Sequence, residues 1–191
     1  LEPQTEFTEL MWDVPANILA RWSNHEIKVA PPVVTLLMEI ERVLERTNGN
    51  MEHAATDIAK RLPGRRSILF AHGVEVVPVK TATLPPADHT NAYLLGDPNG
   101  DFVLVDPAAH LRDGMEDLAN AVERHNGTLV ALLFTHSHGD HIGDIGLLRE
   151  AFDVPIWGSE HTAKSVTCDR ILSDGEMLSL GATEWEVLIT P

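Results

Sequence analysis

The chain has 191 residues, of which 43% are hydrophobic and 23% charged, a composition typical of a folded globular protein and not of a disordered one. Its 14 Lys and Arg against 29 Asp and Glu give a formal net charge of -15, which disfavours non-specific binding to polyphosphates. The single cysteine, Cys168, excludes an intrachain disulfide framework and favours a reducing compartment, so we expect a cytoplasmic protein. Because no apolar run reaches the length of a membrane span, we expect no membrane partner.

The first third of the chain has the periodicity of helices. Apolar residues recur every three or four positions, which predicts helices over Pro15 to Asn24, Pro32 to Thr47 and Asn50 to Arg61. The second helix should stop at Asn48-Gly49 and the third at Pro63-Gly64. These apolar stripes indicate helix packing and no cofactor site.

From Ser67 onward the pattern changes to strands that alternate with helices. We predict strands over residues 74–79, 91–96, 102–105, 130–134, 155–157 and 184–190, and helices over 112–125 and 145–152. Ser159 should cap the helical turn after the fifth of these strands. Asp174-Gly175 predicts a hairpin between Ile171-Leu172 and Met177 to Leu180. The sequence therefore predicts a helical region over residues 1–66 and an α/β domain over 67–191, with the boundary between Pro63 and Ile68.

Four potential metal ligands, His136, His138, Asp140 and His141, follow the most apolar predicted strand. Binding residues of α/β folds collect at the carboxyl ends of strands. If the backbone stays extended, the first two histidines project to the same side, and Gly139 would let the chain turn so that the other two ligands reach the same cavity. Imidazole and carboxylate ligands suit zinc, and also manganese or iron. The alternative is a histidine-rich surface loop in which Asp140 caps a helix.

The segment HSHGDH at residues 136–141 resembles the HxHxDH motif of the metallo-β-lactamase superfamily. Its flanks are similar to further segments of that family, in the same order: Thr90 to Leu95, Val103 to Pro107, Leu172 to Glu176 and Glu186 to Pro191. The resemblance covers about residues 67–191. It implies an α/β fold, the N-terminal portion of a metallo-β-lactamase αββα sandwich, preceded here by a small helical region.

The resemblance is closest to the glyoxalase II-like and β-lactamase-like-protein-2 group, which implies a metal-dependent hydrolase. In that mechanism a metal-bound hydroxide attacks a small ester or thioester. His136 and His138 would be ligands of a first zinc ion, and Asp140 and His141 ligands of a second. Asp140 would also be catalytic, because it would orient the nucleophile and receive its proton. Asp106 would orient a ligand by hydrogen bonding from outside the metal's own ligand set.

The family's GHTPG segment and its remaining ligands would follow Pro191. The chain begins with Leu1 and ends just after a strand-like run. We therefore expect a fragment that is inactive by itself although its parent protein is a hydrolase.

Two other functions stay open. The first is a metal-dependent endoribonuclease, since relatives of that group cleave single-stranded RNA, although the acidic charge and the 5% of aromatic residues disfavour it. The second is a non-catalytic interaction or homo-oligomerisation module that pairs through an exposed sheet edge. Trp12 to Ala16 and Ala30 to Val33 resemble the C-terminal end of some Nudix hydrolases, but no Nudix box is present, so a Nudix fusion is a further hypothesis.

The histidines outside the motif have simpler interpretations. We predict that His72, His89, His110 and His125 are surface or capping residues; of the four, His89 is the best placed to approach the metal cavity because it directly precedes a predicted strand. His161 lies in the wrong segment to supply a missing ligand. Cys168 should be a small buried residue. Core positions are expected at Trp157, Trp185, Val187 and Ile189.

Overall fold

The computed structural model describes residues 11–60 and 67–190. The chain divides into two compact units, Leu1–Pro63 and Gly64–Pro191. Within the two described ranges, no helix combines the length and the apolar character that crossing a membrane requires. The predicted domain boundary between Pro63 and Ile68 lies mostly outside the described residues and stays a prediction.

The first unit consists of helices in its described part. They are α1 (Pro15–Ser23), α2 (Pro31–Arg46) and α3 (Met51–Lys60), which confirms the three predicted helices. Asn50 caps α3, because its Oδ1 accepts a hydrogen bond from the backbone N–H of His53 at 3.0 Å. The predicted end of this helix at Arg61 and the break at Pro63-Gly64 lie outside the described residues.

The second unit is built on a mixed sheet of seven strands that follow one another in chain order. The first four strands pair antiparallel and the last four pair parallel, with the fourth strand shared between the two parts. The strands are β1 (Ile68–Ala71), β2 (Val74–Lys80), β3 (His89–Gly96), β4 (Asp101–Val105), β5 (Thr128–Phe134), β6 (Ile156–Ser159) and β7 (Arg170–Leu172). All the predicted strands up to β6 are confirmed, whereas β1 was not predicted.

Helices α4 (Arg112–Arg124) and α6 (Ile145–Phe152) cover one face of this sheet, and the short helix α5 (Gly139–Ile142) lies between β5 and α6. The apolar residues of these helices and alternate residues of the strands together form the main core. It includes Leu118 of α4, Leu148 of α6 and the strand residues Phe102, Leu104, Leu132, Phe134 and Ile156. The two longer helices were predicted. The predicted cap at Ser159 is also confirmed, since its Oγ accepts from the Thr162 N–H at 3.2 Å, at the start of a 3₁₀ turn (Thr162–Lys164).

A second, two-stranded sheet packs against the opposite face of the large sheet. It pairs β8 (Met177–Leu180) with β9 (Thr183–Glu186) antiparallel. Leu180 and Trp185 pack there with residues of β4 and β5, which confirms the core position of Trp185. Asp97 ties the two sheets together, because its Oδ2 accepts from the Ala182 N–H at 2.7 Å.

The predicted hairpin around Asp174-Gly175 is wrong. The two segments it would join belong to different sheets, because β7 pairs parallel with β6 while β8 pairs with β9. The turn itself exists, and Glu176 holds it through a hydrogen bond from the Ser173 N–H at 2.8 Å. The strands diverge because each already has a partner in its own sheet.

The last predicted strand is shorter than expected. It ends at Glu186, and the backbone of Val187 bonds to the turn, to the Gly175 N–H and the Glu176 carbonyl, both at 2.8 Å. Asp174 Oδ1 accepts from the Ile189 N–H at 2.8 Å. These bonds draw the segment away from the core, so Ile189 is 46% exposed and its predicted core position is wrong.

Candidate metal centre

The candidate centre lies where two neighbouring parallel strands end. Strands β4 and β5 pair parallel, and Val105 at the end of β4 lies opposite Leu133 of β5. The segments that follow them, 106–110 and 135–144, therefore leave the sheet at the same edge. The Asp106 N–H continues the pairing with a bond to the Leu133 carbonyl at 2.9 Å. This topology brings Asp106 beside the histidine motif although they are about 30 residues apart.

Asp106 is the buried carboxylate at the middle of this arrangement, with only 5% of its surface exposed. Its Oδ1 accepts from the Thr135 N–H at 2.8 Å, and its Oδ2 accepts from the Thr135 hydroxyl. The same Oδ2 lies 3.1 Å from Nδ1 of His141. These bonds join Asp106 to the loop that carries the motif, while its role of orienting a metal ligand or its loop from outside the ligand set stays a prediction.

The hydrogen bonds assign a proton to one nitrogen of each of two histidine rings. Asp106 is an acceptor, so His141 Nδ1 must carry the proton that it donates. The Thr135 hydroxyl has a single proton, which goes to Asp106, so its oxygen accepts from His136 Nδ1 at 2.8 Å. With the proton on Nδ1, a neutral ring presents the lone pair of Nε2, which is the form of histidine that binds a metal.

The three histidines of the motif lie close together. The ring of His136 is 4.7 Å from that of His138 and 4.2 Å from that of His141, measured between centroids. Ligand atoms of Asp106, His136 and His141 all lie within 4.8 Å of one another, a group that could hold a metal ion. His138 and Asp140 lie outside this tightest group. Asp140 Oδ2 instead accepts from the Thr83 hydroxyl at 2.7 Å.

The electrostatic environment favours the metal-binding forms of two of these side chains. Burial, and next the neighbouring His141, lower the pKa of His136, which keeps its ring neutral. The hydrogen bond from Thr83 is the main cause that lowers the pKa of Asp140, which keeps its carboxylate charged. Neutral imidazole and ionised carboxylate are the states that ligate metals. The donor set therefore fits a divalent ion.

The expected role of Gly139 is wrong. Gly139 has no positive φ and is the first residue of α5, with open space where a Cβ would be. The sharp turn comes four residues later, at Gly143, whose φ is 69°. A Cβ on Gly143 would lie 2.5 Å from the Ala109 carbonyl oxygen, so the close approach of the two segments requires glycine there.

His110 has a role that the sequence did not reveal. Its Nε2 donates to the carbonyl oxygen of Gly139 at 2.8 Å, so it fastens the backbone of the motif. The only hint in the sequence was its place four residues after Asp106. His125, by contrast, is the capping residue that was predicted, since its Nδ1 accepts from the Gly127 N–H at 3.2 Å. The approach of His89 to the cavity stays a prediction.

Cys168 is half-buried, and burial raises the pKa of its thiol. A thiol with a raised pKa is a poor nucleophile at neutral pH. This agrees with its interpretation as a packing residue. It does not add a nucleophile to the candidate centre.

Comparison with known proteins matches residues 85–167 to the family model of the Metallo-beta-lactamase superfamily. The hydroxyacylglutathione hydrolase of Buchnera aphidicola subsp. Schizaphis graminum is 30% identical over 100 residues, which are 52% of this chain and 38% of that protein. The hydroxyacylglutathione hydrolase of Bdellovibrio bacteriovorus is 27% identical over 110 residues, 54% of this chain and 44% of that protein. The chain thus spans less than half the length of either relative.

A solved structure with the same fold is a beta-lactamase domain protein from Burkholderia ambifaria. Its TM-score is 0.51 at 20% identity, over 68% of this chain and 49% of that one, which is a likeness of fold alone. By the family-model match, residues 85–167 lie in a domain of the metallo-β-lactamase superfamily.

Proposed function

We propose that the protein containing this chain is a metal-dependent hydrolase of small thioesters or esters. The observation that carries the proposal is the hydrogen-bond chain from Asp106, which leaves Nε2 of His136 and His141 free beside His138 and Asp140. The relatives named hydroxyacylglutathione hydrolase support a thioester as the substrate. A small molecule is therefore the favoured partner, while RNA cleavage, self-association and a cytoplasmic location stay predictions.

The residues that would hold the metal are those of the motif. His136 and His138 would bind one ion, and Asp140 with His141 would bind a second. Zinc suits this mixture of nitrogen and carboxylate ligands, and manganese or iron would also be accepted. When bound, the metal supplies a Lewis acid that activates water and polarises the acyl carbonyl.

The chain's own side chains have distinct parts in this proposal. Asp140, with its lowered pKa, is ionised at neutral pH and suited to orient the attacking water and accept its proton. Thr135 and Asp106 hold His136 and His141 in the tautomer that offers Nε2. His110 keeps the loop backbone in place through Gly139. Together these contacts pre-organise the site, so it need not be ordered by the substrate.

Metal content of the purified chain is the first test. We expect about one equivalent or more of metal per chain by plasma mass spectrometry, and its loss in the His136→Ala, His138→Ala double variant. The matched control is His25→Ala, His53→Ala, which removes two histidines from the first unit and should keep the metal. No metal in the unchanged chain would contradict an assembled site.

Activity is the second test. The whole protein should hydrolyse a hydroxyacylglutathione thioester. A chelator should abolish turnover, and added zinc should restore it. The Asp140→Asn variant should also lose turnover, and added zinc should not restore it. Cleavage of RNA without cleavage of the thioester would overturn the proposal in favour of the endoribonuclease. The expected inactivity of the 191-residue chain alone is checked in the same assay, and turnover by it would show that expectation to be wrong.

A further inference from the structure

The loop between β2 and β3, residues 81–88, reaches the histidine motif through a single side chain. The hydroxyl of Thr83 donates to Asp140 Oδ2 at 2.7 Å. The two residues are 57 positions apart in the sequence, and both are half-buried. No motif includes Thr83, and no feature of the sequence suggested that it contacts the site.

Both partners of this hydrogen bond sit on a fixed backbone. The loop is closed by bonds from the Thr81 N–H to the Asp88 carbonyl at 3.2 Å and from the Ala87 N–H to the Leu84 carbonyl at 3.1 Å. The β2–β3 pairing continues up to its base, where Lys80 lies opposite His89. Asp140 lies in α5, whose backbone is hydrogen-bonded on both sides of it. The hydroxyl is therefore presented to the carboxylate by two structured elements.

A carboxylate has two oxygens, and the position of each one matters for a metal ligand. The hydrogen bond from Thr83 restricts rotation of the carboxylate and occupies one of the two lone pairs of Oδ2, so Oδ1 is the oxygen more open to an ion. We propose that Thr83 is a positioning residue that holds Asp140 so that it ligates metal through Oδ1. This inference rests on the proposed function, since it assumes that Asp140 is a ligand.

The direct test is metal affinity. Zn²⁺ affinity is measured by competition with a chromophoric chelator in wild type, Thr83→Val and Thr83→Ser. Valine keeps the shape of threonine without the hydroxyl, and we expect the affinity of the ion that Asp140 ligates to fall about tenfold, as is usual when a hydrogen bond to a metal ligand is removed. Serine keeps the hydroxyl and should restore affinity. Thr56→Val, on the surface of the first unit, is the matched control and should bind as wild type.

Two further measurements distinguish a Thr83 that positions the Asp140 carboxylate for metal from a Thr83 that only stabilises the fold. The visible spectrum of bound Co²⁺ should change in Thr83→Val and be unchanged in Thr83→Ser, because it reports the ligands of the ion. In an Asp140→Ala background, which has no side-chain acceptor at this position, Thr83→Val should cause no further loss of affinity, since either change removes the same interaction. Thermal unfolding of each variant shows whether a lost affinity reflects a lost fold.

The possible outcomes separate this role from the proposed function. If wild type binds metal and Thr83→Val binds equally tightly with the same Co²⁺ spectrum, the role of Thr83 is overturned and the proposed function stands. The role of Thr83 is likewise overturned if the loss of affinity persists undiminished in the Asp140→Ala background. If wild type binds no metal, the proposed function fails and the inference fails with it.

Discussion

Asp106 and Ala108 both have a left-handed backbone, with φ of 46° and 56°, next to the candidate metal centre. Residues other than glycine adopt this conformation at an energetic cost and usually where the surrounding contacts demand it. Here the contacts are known. The Asp106 carboxylate accepts three hydrogen bonds, and the Ala108 N–H donates to the His141 carbonyl at 3.0 Å. The unfavourable backbone conformation of these two residues thus occurs where the segment after β4 bonds to the motif segment after β5.

Asp106→Asn should therefore be costly. The substitution keeps the size of the side chain but turns an amide N–H toward groups that donate to Asp106, so a buried polar network is left unsatisfied. We expect the free energy of unfolding to fall by about 2 kcal/mol, as urea denaturation would measure. Asp101→Asn at the exposed start of β4 is the control and should change little. Equal stability of the two variants would contradict the central role of Asp106.

His125 makes stability depend on pH. Burial lowers its pKa from 6.5, because its ring packs on Phe102 with centroids 4.0 Å apart. A lowered pKa in the folded state means that the stabilising contribution is complete above about pH 6.5 and is lost as the pH falls through the folded pKa. Wild type should lose thermal stability on going from pH 7 to pH 5.

His125→Gln removes the titrating group and should reduce this loss between pH 7 and pH 5. His53→Gln, at an exposed position of α3, is the matched control and should keep the pH dependence of wild type. A pH profile of the thermal midpoint that is the same for all three proteins would rule out His125 as the cause.

At the scale of elements, α6 shows how a local signal sets a boundary. Asp144 is its N-cap, and the side chain accepts from the Leu147 N–H at 3.1 Å. The helix then packs Leu148 into the main core. Because α6 directly follows α5, the cap also sets where the motif segment ends.

Asp144→Ala should lower the free energy of unfolding by about 1 kcal/mol, the usual cost of a lost N-cap. Asp144→Ser supplies another capping oxygen and should recover most of this loss. Both variants should keep the metal content of wild type, since Asp144 is not among the proposed ligands. A larger loss that serine does not recover would show that Asp144 acts through something other than capping.

The elements that were mispredicted share a cause. The turn at Asp174-Gly175 has the residues of a hairpin, yet β7 and β8 find their partners elsewhere. Turn residues report local backbone conformation, whereas pairing depends on which strands lie alongside. The unpredicted strand β1 is similar, because its existence depends on pairing with β2 at the edge of the sheet.

At the scale of the whole molecule, the net charge of -15 should affect stability. Like charges repel one another in the compact state, and salt shortens the range of this repulsion from about 10 Å at 0.1 M to about 3 Å at 1 M. We expect the urea midpoint to rise between these two NaCl concentrations. Glu116→Gln, Glu123→Gln on the exposed side of α4 should show a smaller rise. A midpoint that is independent of salt would show that the acidic groups are too far apart to matter.

The sequence by itself determined most of the order of helices and strands, the position of the histidine motif and the resemblance to the superfamily. These depend on local properties: periodicity, capping and turn residues, and the spacing of four ligands within six positions. The helices α1 to α4 and the strands β2 to β6 followed from such patterns. The four candidate ligands of the motif were predicted from the same kind of local pattern.

Only the tertiary structure decided which distant groups meet the motif. Asp106 reaches Thr135 because β4 and β5 pair parallel and end side by side, and Thr83 reaches Asp140 across 57 positions of sequence. The contacts of His110 and Gly143 likewise exist because segments 106–110 and 135–144 lie close together. Such contacts leave no period or spacing in the sequence, because they depend on the register of the sheet and the path of the loops, which the chain acquires only when it packs.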